Sequence, residues 1–118
     1  MIAIIDDYQA LREALEKLLR SLGHRTSTFG SAEDFLKSGK LHDTSCLITD
    51  VRMPGMSGID LQDRLIADGY YIPIIFITAH FDDHLRQRAM RAGAVAFLVK
   101  PVDADQLIGY LDKALKAA

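Results

Sequence analysis

Short apolar runs that end in polar side chains constrain this chain more than any other feature of its sequence. The apolar runs are Ile2–Ile5, Cys46–Ile48, Ile74–Ile77 and Val95–Val99. A continuous run without polar alternation is typical of a strand that is covered on both faces, as in a parallel sheet. A weaker, threonine-rich strand is predicted at residues 25–29. The sequence therefore predicts five strands, most of them buried.

Segments with helical periodicity separate these strands. Leucines recur at helical spacing from Leu11 to Leu22, and Gly23 is predicted to end that first helix. The other predicted helices are one capped by Ser31, one from Ser57 to Asp68, one from Asp82 to Ala92, and one capped by Asp103. Five strands alternating with five helices predict an α/β fold, in which a mainly parallel sheet carries helices on both faces.

The composition excludes several classes of protein. A chain of 118 residues with 49% hydrophobic residues is predicted to form one globular domain. A net charge of −2 gives no basic surface for nucleic acid, so this domain alone is not expected to bind it. Cys46 is the only cysteine, which excludes a disulfide framework and favours a reduced, cytoplasmic setting. From its residues, the sequence is expected to have neither a signal peptide nor a membrane-spanning segment.

The polar residues at the strand ends are predicted to meet, because ligands bind beyond the carboxyl ends of parallel strands. They are Asp6, Asp7, Asp50, Thr78 and Lys100. Two carboxylates 4 Å apart repel by on the order of 4 kcal/mol at an effective dielectric near 20, so a cation is needed among them. Lys100 neutralises one charge, and the excess suits Mg²⁺. A carboxylate beside a metal, a lysine and a hydroxyl can accept a phosphoryl group, although each residue taken alone fits a cap or a turn.

Through these residues, the chain resembles over its whole length the receiver domain of two-component response regulators. The matching features are the acid pair at 6–7, Asp-Val-Arg-Met-Pro-Gly-Met-Ser-Gly at 50–58, Thr78-Ala79, and Phe97 three residues before Lys100-Pro101. The resemblance implies a receiver domain spanning residues 1–118. It also implies a doubly wound sheet with the strand order 2-1-3-4-5, as in flavodoxin and CheY.

The resemblance implies specific roles for the acidic residues. Asp50 is expected to be the phosphoacceptor. Asp7, Asp50 and the backbone carbonyl of Arg52 are expected to bind Mg²⁺, with Asp6 acting mainly through water. The cofactor that the resemblance implies is therefore Mg²⁺, held at the same edge of the sheet as the phosphoacceptor.

The resemblance also implies roles for residues of the last two strands. Thr78 and Lys100 are expected to contact the phosphoryl group. Phe97 lies at the family's switch-aromatic position, where the ring swings inward as Thr78 moves toward the phosphate; packing in the core is the alternative for Phe97. The peptide bond between Lys100 and Pro101 is expected to be cis, against a base rate of roughly 5–6% for bonds before proline.

The chain resembles in particular the FixJ-like receivers of transcriptional regulators, through the segment Arg-Met-Pro-Gly-Met-Ser-Gly at 52–58 and His80 two residues after Thr78. Arg52 and His80 lie at the family's two variable positions that tune phosphoryl lifetime, with simple solvent exposure as the alternative. The resemblance implies a sensor histidine kinase as partner and a DNA-binding output domain after a linker. Because the sequence stops at Ala118, just after the last predicted helix, we expect an excised domain; a single-domain phosphorelay shuttle is the alternative.

The resemblance further implies a phosphorylation-dependent homodimer through helix 4, strand 5 and helix 5. Charged residues of these helices are most simply explained as a solvated face. They can instead form pairs across such a dimer, with arginines opposite aspartates: Arg86, Arg88 and Arg91 opposite Asp103, Asp105 and Asp112.

Three other functions fit parts of the sequence. His80 and His84 have the spacing of a zinc pair, but the sequence places no third ligand. A stand-alone phosphatase acting through an aspartyl phosphate would need an Asp-x-Asp pair, and Arg52 stands two residues after Asp50. A flavin-binding protein would need a phosphate-binding loop after the first strand, where this chain has Asp-Asp-Tyr-Gln. We therefore expect no enzymatic activity beyond self-catalysed phosphorylation and dephosphorylation.

Overall fold

A computed structural model describes residues 1–116 and contains a five-stranded sheet. The strands are β1 (Ile2–Ile5), β2 (Thr26–Phe29), β3 (Cys46–Asp50), β4 (Ile74–Thr78) and β5 (Ala96–Val99). Their order across the sheet is β2-β1-β3-β4-β5, and every neighbouring pair is parallel. The predicted fold class and strand order are therefore confirmed.

Four α-helices connect successive strands, and a fifth follows β5. They are α1 (Gln9–Ser21), α2 (Ala32–Lys37), α3 (Gly58–Ala67), α4 (Asp83–Arg91) and α5 (Ala104–Lys116). A 3₁₀ helix at Leu41–Asp43 was not predicted, because three residues are too few to show periodicity. Within residues 1–116, no helix is long and apolar enough to cross a membrane.

The helix ends follow local side-chain and backbone chemistry. The capping residues of α2, α3, α4 and α5 each accept a hydrogen bond, of 2.9–3.1 Å, from the amide three residues later; they are Ser31, Ser57, Asp82 and Asp103. Helix α1 stops at Ser21, and Gly23 then adopts a φ of +89°, a conformation that favours glycine. Leu22, predicted inside α1, lies beyond its end and is 47% exposed.

The sheet separates two hydrophobic clusters. One cluster contains residues of α2, α3 and α4, including Phe35, Leu61 and Ala89. The other contains residues of α1 and α5, including Leu15 and Leu107. Helices therefore cover both faces, which explains why the strand runs are apolar without alternation.

Candidate functional site

The carboxyl ends of four neighbouring strands bring polar side chains to one edge of the sheet. Asp6 follows β1, Asp50 ends β3, Thr78 ends β4, and Lys100 follows β5. These four strands are adjacent in the sheet. The polar residues at these four strand ends therefore lie at the same edge of the sheet, as predicted.

Lys100 lies between two buried carboxylates. Its Nζ is 3.1 Å from Asp6 Oδ2 and 3.2 Å from Asp50 Oδ2. Asp6 is fully buried and Asp50 is 6% exposed, so both charges are largely removed from water. A buried carboxylate is stable only when it is paired or hydrogen-bonded. The lysine therefore neutralises part of the negative charge at this edge.

The environment shifts the pKa values of both members of the Asp50–Lys100 pair. Burial raises the pKa of Asp50, and the neighbouring Asp6 charge raises it further, against hydrogen bonds from Lys100 and the Arg52 backbone N–H. Burial lowers the pKa of Lys100, but Asp6 and Asp50 outweigh burial and bring it above its ordinary value. Lys100 is therefore a cation at neutral pH.

The three acidic residues can converge on one metal ion. Asp6, Asp7 and Asp50 each place a carboxylate oxygen within 4.8 Å of the other two. Asp6 Oδ1 accepts a hydrogen bond of 2.8 Å from the Tyr8 amide. Asp6 Oδ2 lies 3.1 Å from Lys100 Nζ. Three converging carboxylates beside a single lysine leave an excess of negative charge, which fits a hard divalent ion such as Mg²⁺.

The Thr78 hydroxyl is engaged with the loop that follows β4. Thr78 Oγ1 donates to the His80 carbonyl at 3.0 Å and accepts from the His80 amide at 3.2 Å. The side chain is nearly fully buried. The hydroxyl therefore lies at the predicted edge but holds the backbone of the next loop.

Phe97 is half-buried beside Phe76. The two ring centroids are 6.1 Å apart, with an angle of 43° between the ring planes. The residues face each other in register on β5 and β4. Phe97 thus packs on the strand that ends at Thr78.

The Lys100–Pro101 peptide bond is cis, as predicted.

The loop after Asp50 is held by contacts that sequence reasoning did not find. Glu33 Oε2 accepts a hydrogen bond of 3.4 Å from the Met56 amide, and Gly55 beside it has a φ of +78°. A Cβ at Gly58 would collide with the carbonyl oxygen of Asp50. The Pro/Gly-rich sequence after Asp50 predicted a loop. No sequence signal indicated that Met56 contacts Glu33, which lies 23 residues earlier.

Arg52 and His80 are exposed beside the site. Arg52 Nη2 lies 3.8 Å from Asp82 Oδ2, so its side chain bridges to the start of α4. Within residues 1–116, the group of three or more acidic, histidine or cysteine side chains close enough to hold a metal ion consists of Asp6, Asp7 and Asp50. The zinc alternative for His80 and His84 therefore gains no third ligand.

The arginines of α4 have partners within the chain. Arg86 pairs with Asp83 at 3.1 Å, and Arg88 pairs with Asp63 of α3. Arg91 Nη2 donates a hydrogen bond of 3.3 Å to Gln87. Asp103 caps α5. Pairing with aspartates across a dimer would compete with these contacts and stays a prediction.

The fold and the site together define a class of protein: a doubly wound α/β domain with an acidic cluster and a lysine at the carboxyl edge of its sheet. Residues 2–112 match the family model described as the response regulator receiver domain. The chain belongs to this family. Receiver domains of response regulators interact with histidine kinases, generally bind Mg²⁺, and typically signal rather than act as enzymes.

Known relatives include transcriptional regulators. The chain is 46% identical over 118 residues to the response regulator protein TmoT of Ectopseudomonas mendocina, covering all of this chain and 54% of TmoT. It is 39% identical over 117 residues to the transcriptional regulatory protein FixJ of Bradyrhizobium diazoefficiens, covering 99% of this chain and 57% of FixJ. The chain thus spans little more than half the length of these relatives.

Solved structures of the family superpose closely on this fold. The response regulator StyR gives a TM-score of 0.92 at 44% identity, covering 98% of this chain and 59% of StyR. The structure described as FixJ-N gives a TM-score of 0.87 at 35% identity, covering 99% of this chain and 94% of that structure. The likeness to FixJ-type receivers, predicted from the sequence of the loop after Asp50, is confirmed.

Proposed function

We propose that this chain is a phosphorylation-controlled switch in which Asp50 accepts a phosphoryl group from a phosphohistidine of a sensor kinase. The observation that carries this proposal is the position of Asp50, 6% exposed at the strand end and 3.2 Å from Lys100. Lys100 thereby holds Asp50 Oδ2, and the carboxylate keeps a small exposed area at the edge of the sheet. The likeness to response regulators supports the choice of donor.

The transfer forms one bond and breaks one. A carboxylate oxygen of Asp50 attacks phosphorus, an O–P bond forms, and the P–N bond to the donor imidazole breaks with its electron pair going to nitrogen, which takes a proton from water. Lys100 is placed to stabilise the negative charge of the transferred group. Bound Mg²⁺ would supply further charge stabilisation, held by Asp6, Asp7, Asp50 and the carbonyl of Arg52.

Hydrolysis of the acyl phosphate returns the switch to its starting state by attack of water on phosphorus, releasing phosphate and the Asp50 carboxylate. Both steps use this chain's own residues, so the domain catalyses only its own modification. Arg52 and His80, both exposed in the loops after β3 and β4, are proposed to tune the lifetime of the phosphoryl group.

The conformational response is proposed to pass through Thr78 and Phe97. When the Thr78 hydroxyl turns to a phosphoryl oxygen, it gives up its contacts with His80, and the loop before α4 is freed. Phe97, packed against Phe76, follows by turning inward. The surface of α4, β5 and α5 then changes and forms a homodimer that controls an output domain. Relatives named as transcriptional regulators support DNA-binding output.

The test is intact mass after incubation with acetyl phosphate and Mg²⁺. We expect a gain of about 80 Da, one phosphoryl group, that requires Mg²⁺ and disappears in Asp50→Ala. Asp34→Ala, which removes an exposed carboxylate from α2, is the matched control and should label normally. Lys100→Ala should reduce coupling between labelling and the surface change. Full labelling of Asp50→Ala at another residue would contradict the proposal.

A further inference from the structure

Helix α4 has little apolar surface to fix its position. Ala89 is its one buried residue within the described chain, and Leu85 packs partly against the same hydrophobic cluster. Most helices in proteins are held mainly by packing of an apolar face. Polar contacts therefore carry an unusual share of the attachment of α4.

Three polar contacts run along α4 toward the preceding helix and loop. From the carboxyl to the amino end of α4 they are Gln62 Nε2 to the Ala89 carbonyl at 3.1 Å, Asp63 with Arg88, and Arg52 Nη2 to Asp82 Oδ2 at 3.8 Å. The contact at the carboxyl end is buried. At the amino end, the side chains are 61% and 35% exposed. The attachment is thus firm at one end and weak at the other.

Asp82 uses its two oxygens for different purposes. Oδ1 accepts the capping hydrogen bond from the Leu85 amide at 3.1 Å. Oδ2 faces the guanidinium of Arg52. An exposed ion pair at this distance contributes little and is readily exchanged for a better partner. The cap and the ion pair can therefore be separated by substitution.

Arg52 is beside the phosphoacceptor. It stands two residues after Asp50, in the loop that follows β3. A phosphoryl group brings a charge of about −1.5 to −2 and three acceptor oxygens, and guanidinium groups bind phosphate through paired hydrogen bonds. A phosphoryl group on Asp50 would therefore compete strongly with the single oxygen of Asp82 for Arg52.

The loop at 79–82 is held at both ends by groups that border the site. Thr78 Oγ1 holds His80 at the start of this loop, and Arg52 holds Asp82 at its end. A phosphoryl group on Asp50 would attract the hydroxyl and the guanidinium together. Both restraints on the start of α4 would then be lost in one event.

We infer that Asp82 is a positioning residue that couples the site to α4. In the unmodified protein it holds the Arg52 side chain. When Asp50 is phosphorylated, Arg52 exchanges Asp82 for phosphoryl oxygens, and the first turn of α4 loosens while the buried Gln62–Ala89 contact keeps its other end in place. This inference rests on the proposed function of Asp50 and adds the contact that transmits it.

The test separates the charge of Asp82 from its cap. Asparagine caps helices as well as aspartate does, so Asp82→Asn keeps the cap and removes the ion pair. The readout is amide hydrogen exchange of Leu85 and Arg86, whose N–H groups bond to Asp82. We expect exchange about twofold to fivefold faster in unphosphorylated Asp82→Asn, the range that an exposed ion pair supports. Phosphorylation should then add less than it adds in the wild type.

Asp83→Asn is the matched control. It removes one negative charge from the same helix end, but its carboxylate pairs with Arg86 rather than with Arg52. The decisive comparison is made in an Arg52→Gln background, where Asp82→Asn should add no more than Asp83→Asn. An effect of Asp82→Asn that is the same in both Arg52 backgrounds would overturn the inference.

Intact mass, measured on the same samples, distinguishes the two levels of the account. If Asp50 gains no phosphoryl group in the wild type, the proposed function fails, and the inference fails with it. If labelling is normal and the exchange of Leu85 and Arg86 in Asp82→Asn matches the wild type before and after labelling, the inference alone is overturned.

Discussion

Helices α3 and α4 pack on the same face of the sheet and follow the two loops that border the site, but they are attached in different ways. Helix α3 begins with a capping box and buries five residues, including Leu61 and Leu65. Helix α4 buries Ala89, packs Leu85 partly against the same cluster, and otherwise depends on polar contacts. The site therefore lies between a fixed helix and an adjustable one, and a change in charge at Asp50 acts mainly on the adjustable one.

The strongest expected contrast is between opening of the core and opening of α4. Cys46 on β3 is fully buried, and burial raises the pKa of its thiol to about 12. Alkylation of Cys46 should be slower than in the unfolded chain by a factor of about 10³ or more, since it requires global unfolding. The measurement is mass-resolved alkylation beside amide exchange in α4. If Cys46 alkylation and amide exchange in α4 were slowed by the same factor relative to the unfolded chain, the expected contrast would be contradicted.

The same thiol gives a pH dependence whose sign is fixed. The folded-state pKa of Cys46, about 12, lies above the ordinary value of 9.0, so the thiolate is favoured in the unfolded chain. The contribution of Cys46 to stability is fully present below pH 9 and declines as pH rises toward 12. Urea titrations of Cys46→Ala and wild type across this range should show a smaller decline in the variant.

Removing a leucine from each helix compares the two attachments directly. Leu61→Ala in α3 deletes a fully buried side chain and should lower the free energy of unfolding by about 2–5 kcal/mol. Leu85→Ala in α4 deletes a half-buried one and should cost roughly half as much or less. Urea denaturation measures both values. Equal losses would show that α4 is fixed by packing after all.

Glycine substitutions test how tightly α3 meets the site. Gly58→Ala places a methyl group against the carbonyl oxygen of Asp50 and should destabilise the fold by about 1–3 kcal/mol. Gly109→Ala is the control, because a Cβ there meets no atom within 4 Å; it should stabilise α5 by about 0.5–1 kcal/mol. Thermal unfolding of both variants reports the difference. A stable Gly58→Ala protein would argue against the close approach.

The smallest effect is expected at the middle contact of α4. Arg88 and Asp63 form an exposed ion pair, so Arg88→Ala should reduce stability by at most about 1 kcal/mol. A double-mutant cycle with Asp63→Ala isolates the pair from other changes. A coupling energy well above that limit would mean that this contact, rather than the core, holds α4 throughout.

Most of the fold could be predicted from local signals. Continuous apolar runs indicated the parallel strands, and capping residues such as Ser57 and Asp103 marked where helices begin. The polar ends of β1, β3, β4 and β5 converge because parallel topology carries them to one edge. The close approach of Asp6, Asp50 and Lys100 therefore followed from strand ends alone.

Contacts between side chains far apart in sequence could not be predicted. Glu33 reaches Met56, and Gln62 reaches the Ala89 carbonyl, across 23 and 27 residues. The Arg52–Asp82 pair is of the same kind, since neither residue belongs to a periodic pattern. Such contacts depend on how helices sit on the sheet and on rotamers, which composition and spacing do not encode. Two of them, Gln62–Ala89 and Arg52–Asp82, are contacts of α4 and its capping residue.

The most direct test of the account is amide hydrogen exchange of the wild type before and after phosphorylation, comparing α3 with α4. After phosphorylation, we expect faster exchange at Leu85 and Arg86 in the first turn of α4 and unchanged exchange at Leu61 and Leu65 in α3. In Asp50→Ala, treated in the same way, exchange should stay unchanged in both helices. Equal acceleration in both helices, or none in α4 when Asp50 is fully labelled, would contradict the account.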